Sequence, residues 1–288
     1  MNDIELVLDA RAELGEGPLW DDRRQRLLFV DILRGDVHAF DPVTGTDRVV
    51  NVGRSVGAIA LTTRGDWILA ADRGFFRADP ETGHTTLIVD VEPGRTDTRM
   101  NDGAVDPAGR FWAGTSSLVR QADQSALYRL DPDGRAHRML APVTTSNGID
   151  WSPDGRSMYY VDTRTRRIDV FAFDAASGTP SRRRTFVDLT GEVGRPDGLV
   201  VDQDGAIWVA LWEGGEVRRY TVDGRLDRVI RVPAPLTTKC AFGGSTLADL
   251  YITTASGGPD ARAAHPHAGG LFRVRPGVLG RPVQRFAG

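Results

Sequence analysis

Six short apolar segments that recur at near-regular spacing predict an all-β fold, a six-bladed β-propeller. Their first residues lie 40 to 49 positions apart: Arg26, Asp66, Arg110, Ser157, Ala206 and Asp249. A repeat near 45 residues that is filled with strands rather than helices is typical of propeller blades. Six such repeats in 288 residues predict six blades in a single domain that spans residues 1–288.

Turns and further strands complete each predicted blade. Segments such as DPVTG (41–45) and DPDG (131–134) have the Asp, Pro and Gly composition of tight turns. Alternating segments such as DVHAF (36–40) and EVRRY (216–220) then predict a third strand. A propeller must also close its ring, so we expect residues 4–10 to pair beside residues 270–276 in the sixth blade.

One position recurs on the loop that precedes each apolar segment, nine or ten residues before the segment begins. The six residues are Glu16, Gly57, Asn101, Asn147, Asp197 and Cys240. Equivalent positions of a propeller repeat occupy equivalent places around the axis. The six residues are therefore predicted to converge at the mouth of the central channel.

This predicted ring carries the chemistry of a divalent metal site. Carboxylate and amide oxygens suit Ca²⁺, Mg²⁺ and Mn²⁺, with Fe²⁺ or Zn²⁺ as further candidates. The interpretation from spacing assigns Glu16, Asn147 and Asp197 as metal ligands, with Asn101 close by and Asp102 as a rival ligand. The alternative is that these are ordinary turn residues, because Asn, Asp and Gly favour turns.

Composition excludes several classes of function. The net charge is −3 and no basic cluster suits nucleic acid. No run of 18 apolar residues occurs, so we expect no membrane segment and a cytoplasmic protein. We also expect a monomer or a weak homodimer. The single cysteine, Cys240, allows no intramolecular disulfide and is most simply a small buried apolar residue. Lys239 is the only lysine and is a candidate for a place near the channel mouth.

Five motifs resemble the gluconolactonase/regucalcin (senescence marker protein) family. They are ELGEGPLWD (13–21), RMNDGAVDPAGRFWAGT (99–115), TSNGIDWSPDGRSMYYVDT (145–163), RPDGLVVDQDGAIWVA (195–210) and TKCAFGG (238–244). The motifs span nearly the whole chain in order. The resemblance implies a six-bladed propeller with one divalent metal in its channel and hydrolysis of a sugar lactone to the aldonic acid.

The resemblance also implies roles for individual residues. Glu16, Asn147 and Asp197 are the implied metal ligands, and Asp197 is the implied proton acceptor. Arg99 and Asn101 are implied to bind the lactone, and the role of Arg99 comes from the resemblance alone. Whether Asp197 or a water activated directly by the metal is the base stays open.

The sequence departs from the family at one place and leaves other functions open. Animal members carry a substrate-contacting glutamate near the position of Val119. The identity of the sugar is therefore not implied. The alternatives are a propeller hydrolase of organophosphates or non-sugar lactones, and a non-enzymatic calcium-binding propeller.

Overall fold

The computed structural model describes residues 4–119 and 121–288, which form six four-stranded antiparallel sheets around one axis. The chain begins with β1 (Glu5–Leu8), whose partner strand comes last in the sequence. The first blade is β2 (Gly15–Asp21), β3 (Arg26–Asp31), β4 (Asp36–Phe40) and β5 (Asp47–Asn51). The second is β6 (Val56–Leu61), β7 (Trp67–Ala71), β8 (Gly74–Ala78) and β9 (Thr85–Asp90).

The next three blades repeat this order. The third is β10 (Thr98–Val105), β11 (Phe111–Ser117), β12 (Ser125–Leu130) and β13 (Ala136–Val143). The fourth is β14 (Ser146–Trp151), β15 (Ser157–Asp162), β16 (Arg167–Asp174) and β17 (Thr179–Asp188). The fifth is β18 (Arg195–Val201), β19 (Ile207–Trp212), β20 (Glu216–Tyr220) and β21 (Leu226–Arg231). The predicted all-β, six-bladed propeller is confirmed.

The sixth blade closes the ring as the sequence predicted. It consists of β22 (Thr237–Gly243), β23 (Asp249–Thr254), β24 (Leu271–Val274) and the N-terminal β1. Leu6 pairs with Phe272, and the Arg273 guanidinium donates to Glu5 Oε2 at 2.8 Å. The first and last parts of the chain thus share one sheet, and neither leaves an unpaired strand at the closure.

Helix is nearly absent from the described residues. The helical segments found there are a 3₁₀ turn at Thr163–Thr165 and α1 (Pro259–Ala264). In the part of the chain that the structure describes, no helix has the length and apolar character needed to cross a membrane.

Apolar residues between neighbouring blades form the core. Trp112, Trp151 and Phe173 contact one another with ring centroids 5.7–5.9 Å apart. The turns that precede the second strands anchor two of the tryptophans: the Trp112 indole donates to Asp106 Oδ2 at 3.0 Å and the Trp208 indole to Asp202 Oδ2 at 2.9 Å. Because each Asp–Trp unit ties a turn to the core, the innermost strands are held in fixed positions around the channel.

Candidate active site

The ring residues lie on the innermost strands, so the prediction that they lie on loops is wrong. In every blade the innermost strand contains one residue more than the second strand opposite it, which makes a β-bulge. A bulge interrupts the ladder and re-aims side chains. Its Asn, Asp and Gly residues therefore look like a loop in the sequence although they sit in a sheet.

Strand pairing corrects one member of the ring. The third residue of each apolar segment pairs with a residue of the innermost strand, which gives every blade a common reference position. In the fifth blade Trp208 pairs with Val200, and Asp197 lies three positions before Val200. The predicted residue has this same relation to the reference position in five blades. In the sixth blade Ala241 is the residue that pairs with Tyr251, so the equivalent position is Thr238 and not Cys240. The turn has the usual five residues, but β22 and β23 pair one residue further before it, as far as Gly243 and Asp249, and this shifted the count.

We call the corrected set the ligand ring: Glu16, Gly57, Asn101, Asn147, Asp197 and Thr238. Cys240 instead packs in the apolar core between the fifth and sixth blades, where burial raises the pKa of its thiol to about 12. This confirms its interpretation as a small buried residue. Gly57 has no side chain because a Cβ there would come within 2.2 Å of the Asn101 carbonyl oxygen.

A polar cavity of about 400 Å³ opens at this end of the channel. All five predicted site residues line it: Glu16, Arg99, Asn101, Asn147 and Asp197. Its volume is within the range of about 300–1,000 Å³ that is usual for small-molecule sites. The further lining residues are Leu14, Ser116, Ser117, Thr145, Thr163, Arg164, Arg195, Trp212 and Glu213.

The two carboxylates at the base of the cavity are almost completely buried. Glu16 and Asp197 are 4% and 5% exposed. Burial, reinforced by the nearby charge of Asp102, raises the pKa of Glu16 to about 8. Burial, followed by the charges of Glu16 and Asp102, also raises the pKa of Asp197 well above its ordinary value. A divalent cation between the two carboxylates would relieve this cost.

The Asn147 amide is held in one orientation. Its Nδ2 donates to Thr163 Oγ1 at 3.0 Å, and Thr163 Oγ1 donates to the Pro196 carbonyl oxygen at 2.9 Å. Asn147 Oδ1 and Asp197 Oδ1 are buried and have no hydrogen-bond partner among the described residues. Buried polar atoms without partners are rare in native proteins, and here two oxygens of the predicted ligand set lack them.

These residues fit a hard divalent cation. Glu16 and Asp197, once ionised, supply negative charge, and the free Asn147 Oδ1 supplies a neutral oxygen. No group of three or more His, Cys, Asp or Glu residues in the described ranges could hold a metal. The predicted set agrees with this, because only two of its members, Glu16 and Asp197, are of those residue types and the third ligand is the amide of Asn147.

Arg99 and Asn101 form a unit on the cavity wall. Arg99 Nη1 donates to Asn101 Oδ1 at 2.7 Å and to the Met100 carbonyl oxygen at 2.9 Å. Asn101 Nδ2 donates to the Ser146 carbonyl oxygen at 2.8 Å, which ties the third blade to the fourth. Burial lowers the pKa of Arg99 to about 10, against the raising effect of Glu16 and Asp197, so the guanidinium stays charged at neutral pH.

One layer below the ligand ring, a single ion pair fills the channel. The equivalent residues are Gly17, Ala58, Asp102, Gly148, Gly198 and Lys239, which we call the ion-pair layer. Lys239 Nζ donates to Asp102 Oδ1, and both residues are buried. A Cβ on Gly198 would lie 2.3 Å from Lys239 Cγ, so the small residues of this layer give the lysine its space. Asp102 does not line the polar cavity, whereas Asn101 does.

Sequence reasoning missed two buried aspartates that position the ligand strands. Asp31 accepts hydrogen bonds from the backbone N–H groups of Glu13 and Leu14 at 2.7 and 3.1 Å, directly before β2. Asp162 does the same for Thr144 and Thr145 at 2.9 and 3.0 Å, directly before β14. Both aspartates lie five residues after the start of an apolar segment, and this shared offset was the available signal.

The remaining residues at the cavity come from the ends of strands and from turns. Trp212, at the end of β19, and Glu213, which follows it, line the cavity. Val119, near which the resemblance implies a glutamate in animal members, is 64% exposed and does not line it. Arg164 and Arg195, which also line the cavity, were not singled out from the sequence.

A second cavity of about 180 Å³ lies at the opposite end of the channel. Its equivalent wall positions are mostly apolar, and we call them the apolar ring: Leu19, Ala60, Ala104, Asp150, Val200 and Ala241. The C-terminal segment crosses this end, where Arg281 donates to Asp150 Oδ1 at 3.0 Å and to the Val201 carbonyl oxygen at 3.0 Å. The predicted site residues all lie at the other end.

The fold and the cavity define the class of six-bladed β-propellers with a polar small-molecule cavity at one channel mouth. The chain belongs to the SMP-30/gluconolactonase/LRE-like family, whose sequence profile matches residues 14–256. That range contains every residue of the ligand ring.

Individual relatives cover nearly the whole chain. A putative sugar lactone lactonase, YvrE of Bacillus subtilis, is 38% identical over 99% of both chains. Regucalcin of Xenopus laevis is 35% identical over 99% of this chain and 98% of its own. The crystal structure of a calcium-binding protein, regucalcin from Agrobacterium tumefaciens, superposes with a TM-score of 0.94 at 31% identity, covering 99% of this chain and 97% of that one.

Proposed function

We propose that the protein hydrolyses a sugar lactone to the aldonic acid with one divalent cation held by Glu16, Asn147 and Asp197. The observation that carries the proposal is the pair of buried oxygens without partners, Asn147 Oδ1 and Asp197 Oδ1, beside the Glu16 carboxylate. Family membership and the lactonase among the relatives support the same activity.

The residues divide the work between binding and proton transfer. A divalent cation, when bound, would supply Lewis-acid polarisation of the lactone carbonyl. Arg99 and Asn101 orient the sugar from the side wall through charged and neutral donors. Asp197 accepts the proton of the attacking water. Ca²⁺, Mg²⁺, Mn²⁺, Zn²⁺ and Fe²⁺ all remain candidates.

Acid release tests the proposal directly. Protein stripped with chelator is given each cation in turn and offered a panel of aldono-1,4- and 1,5-lactones in weak buffer, with spontaneous hydrolysis subtracted. We expect turnover that depends on the cation. Glu16→Gln should lose it, whereas the matched exposed variant Glu81→Gln should keep it, since the Glu81 side chain is 72% exposed.

Calcium binding without turnover is the second candidate, because a close structural relative is described as a calcium-binding protein. It predicts calorimetric Ca²⁺ binding that Glu16→Gln abolishes, with no lactone hydrolysed under any cation. Hydrolysis of phosphotriesters or non-sugar lactones alone would instead assign the cation site to a different hydrolase.

A further inference from the structure

The wall of the polar cavity carries more positive charge than lactone hydrolysis requires. Three guanidinium groups line it, from Arg99, Arg164 and Arg195. The opposing carboxylates are Glu16 and Asp197 at the base and Glu213 at the rim. With a divalent cation between the two base carboxylates, the lining charges sum to about +2, which favours an anionic ligand.

Arg164 has no partner in the described part of the chain. Its guanidinium makes no hydrogen bond or ion pair there, although its neighbours do. Arg166 donates to the Gly194 carbonyl oxygen at 2.8 Å, and Arg167 to Asp169 Oδ1 at 2.8 Å. The backbone at Arg164 is fixed by the 3₁₀ turn, which Asp162 caps. A free cation on a fixed turn at a cavity wall is available to a ligand.

Arg195 already binds a carboxylate on the same wall. Its Nη2 pairs with Glu213 Oε2, and the Glu213 side chain is 54% exposed. Glu213 has a φ of +64°, a left-handed backbone conformation that is unusual for a glutamate. Because the Glu213 carboxylate is exposed, a ligand carboxylate can share Arg195 with it or displace it.

We propose that the substrate is an acidic sugar lactone, the lactone of a sugar diacid, whose free carboxylate binds Arg164 and Arg195. This rests on the proposed lactonase function and names its substrate class. The lactone end lies at Glu16, Asn147 and Asp197. The water oxygen bonds to the carbonyl carbon, the bond from that carbon to the ring oxygen breaks, and the ring oxygen takes a proton. The product is an open-chain dicarboxylate.

Three lactones of equal carbon number separate the possibilities: a glucaric acid lactone with a free carboxylate, the neutral gluconolactone, and 6-phosphogluconolactone. We expect kcat/KM for the carboxylate lactone on the metal-loaded protein to exceed that for the neutral one by at least ~10-fold. Arg164→Gln and Arg195→Gln should each remove most of this preference and leave the neutral lactone within about twofold. Arg225→Gln is the matched control, because the Arg225 side chain is 84% exposed and does not line the cavity.

Opposite charge changes give opposite signs. Glu213→Gln removes the competing carboxylate, so it should raise the preference for the acidic lactone that Arg164→Gln lowers. Equal rates on the acidic and neutral lactones would overturn the proposal, as would losses of the same size on both substrates in the arginine variants. Preference for the phosphate lactone would overturn the carboxylate assignment.

Calorimetric binding of the product keeps the test separate from the lactonase function. Glucarate should bind the metal-loaded protein at least ~10-fold more tightly than gluconate, and Arg164→Gln should abolish the difference. If no lactone is hydrolysed but this difference is found, the lactonase function fails and the anion site stands. Equal affinities for glucarate and gluconate would overturn the anion site whether or not lactones are hydrolysed.

Discussion

The two ends of the central channel use the same six strands and yet have opposite character. At one end the ligand ring is polar, and two of its oxygens lack partners in the described residues. Three residues further along each strand, the apolar ring carries five apolar side chains and Asp150, which Arg281 neutralises. Between them lies the ion-pair layer, filled by Asp102 and Lys239.

The difference shows that, among the described residues of the channel, carboxylates lack a counter-charge at one end only. In the ion-pair layer Asp102 meets Lys239, and at the apolar end Asp150 meets Arg281. Gly198 leaves the space that the Lys239 side chain occupies. Glu16 and Asp197 meet no cation within ion-pair distance among the described residues. Unpaired buried charge costs free energy, so its restriction to one end is what favours that end as the functional one.

The largest effect on stability is expected from breaking the ion-pair layer. Lys239→Met leaves Asp102 buried, 1% exposed, without its counter-charge, and should lower the free energy of unfolding by about 3–5 kcal/mol. The double variant Asp102→Asn/Lys239→Met should recover most of that loss. Urea unfolding of the metal-free proteins measures both. A double variant no more stable than Lys239→Met would refute the pairing argument.

The largest effect on activity is expected at Asp197. Asp197→Asn keeps the shape but removes the base, so kcat should fall at least ~10²-fold with the melting temperature maintained. The exposed turn variant Asp133→Asn should be unaffected, since its side chain is 57% exposed. Activity near that of the parent in Asp197→Asn would remove this residue from the proposed mechanism.

The raised pKa values predict how stability responds to pH at the polar end. Because the pKa of Glu16 rises to about 8 on folding, its contribution to stability is complete below its ordinary pKa of 4.5 and is lost as the pH rises toward 8. A bound cation needs the ionised form, so the increase in melting temperature on adding cation should grow from pH 5 to pH 8. Thermal unfolding with and without cation measures this. In Glu16→Gln, the rise in melting temperature caused by the cation should depend less on pH. A pH dependence equal to that of the parent would show that another group is responsible.

The smallest effect is expected at the apolar end. Arg281→Met removes a partly exposed ion pair, while Asp150 keeps its backbone donors Trp151 and Val201, each at 2.7 Å. We expect a loss of about 1 kcal/mol or less in stability and lactone turnover within twofold. A tenfold loss of turnover with the fold intact would show that the two ends are coupled and would end the contrast drawn between them.

Much of the site could be predicted from the sequence because the repeat fixes equivalent positions. Five of the six ring residues were found by counting back from an apolar segment, and those five keep the same relation in the strand pairing. The count failed at Cys240, because the additional residue pair before the turn of the sixth hairpin is invisible to a fixed offset. Lys239 was noticed as the lone lysine, but no sequence pattern showed that it pairs with Asp102, 137 residues away.

The sequence by itself determined the blade number, the closure of the ring by the N-terminal strand and the polar chemistry of the ligand ring. Each follows from local composition repeated at a fixed period, which acts within a blade or between equivalent positions. Only the tertiary structure decided which oxygens remain without partners, which arginine is free at the rim and which charges cancel inside the channel. Those outcomes depend on distances between residues of different blades, and the spacing of residues along the chain does not contain them.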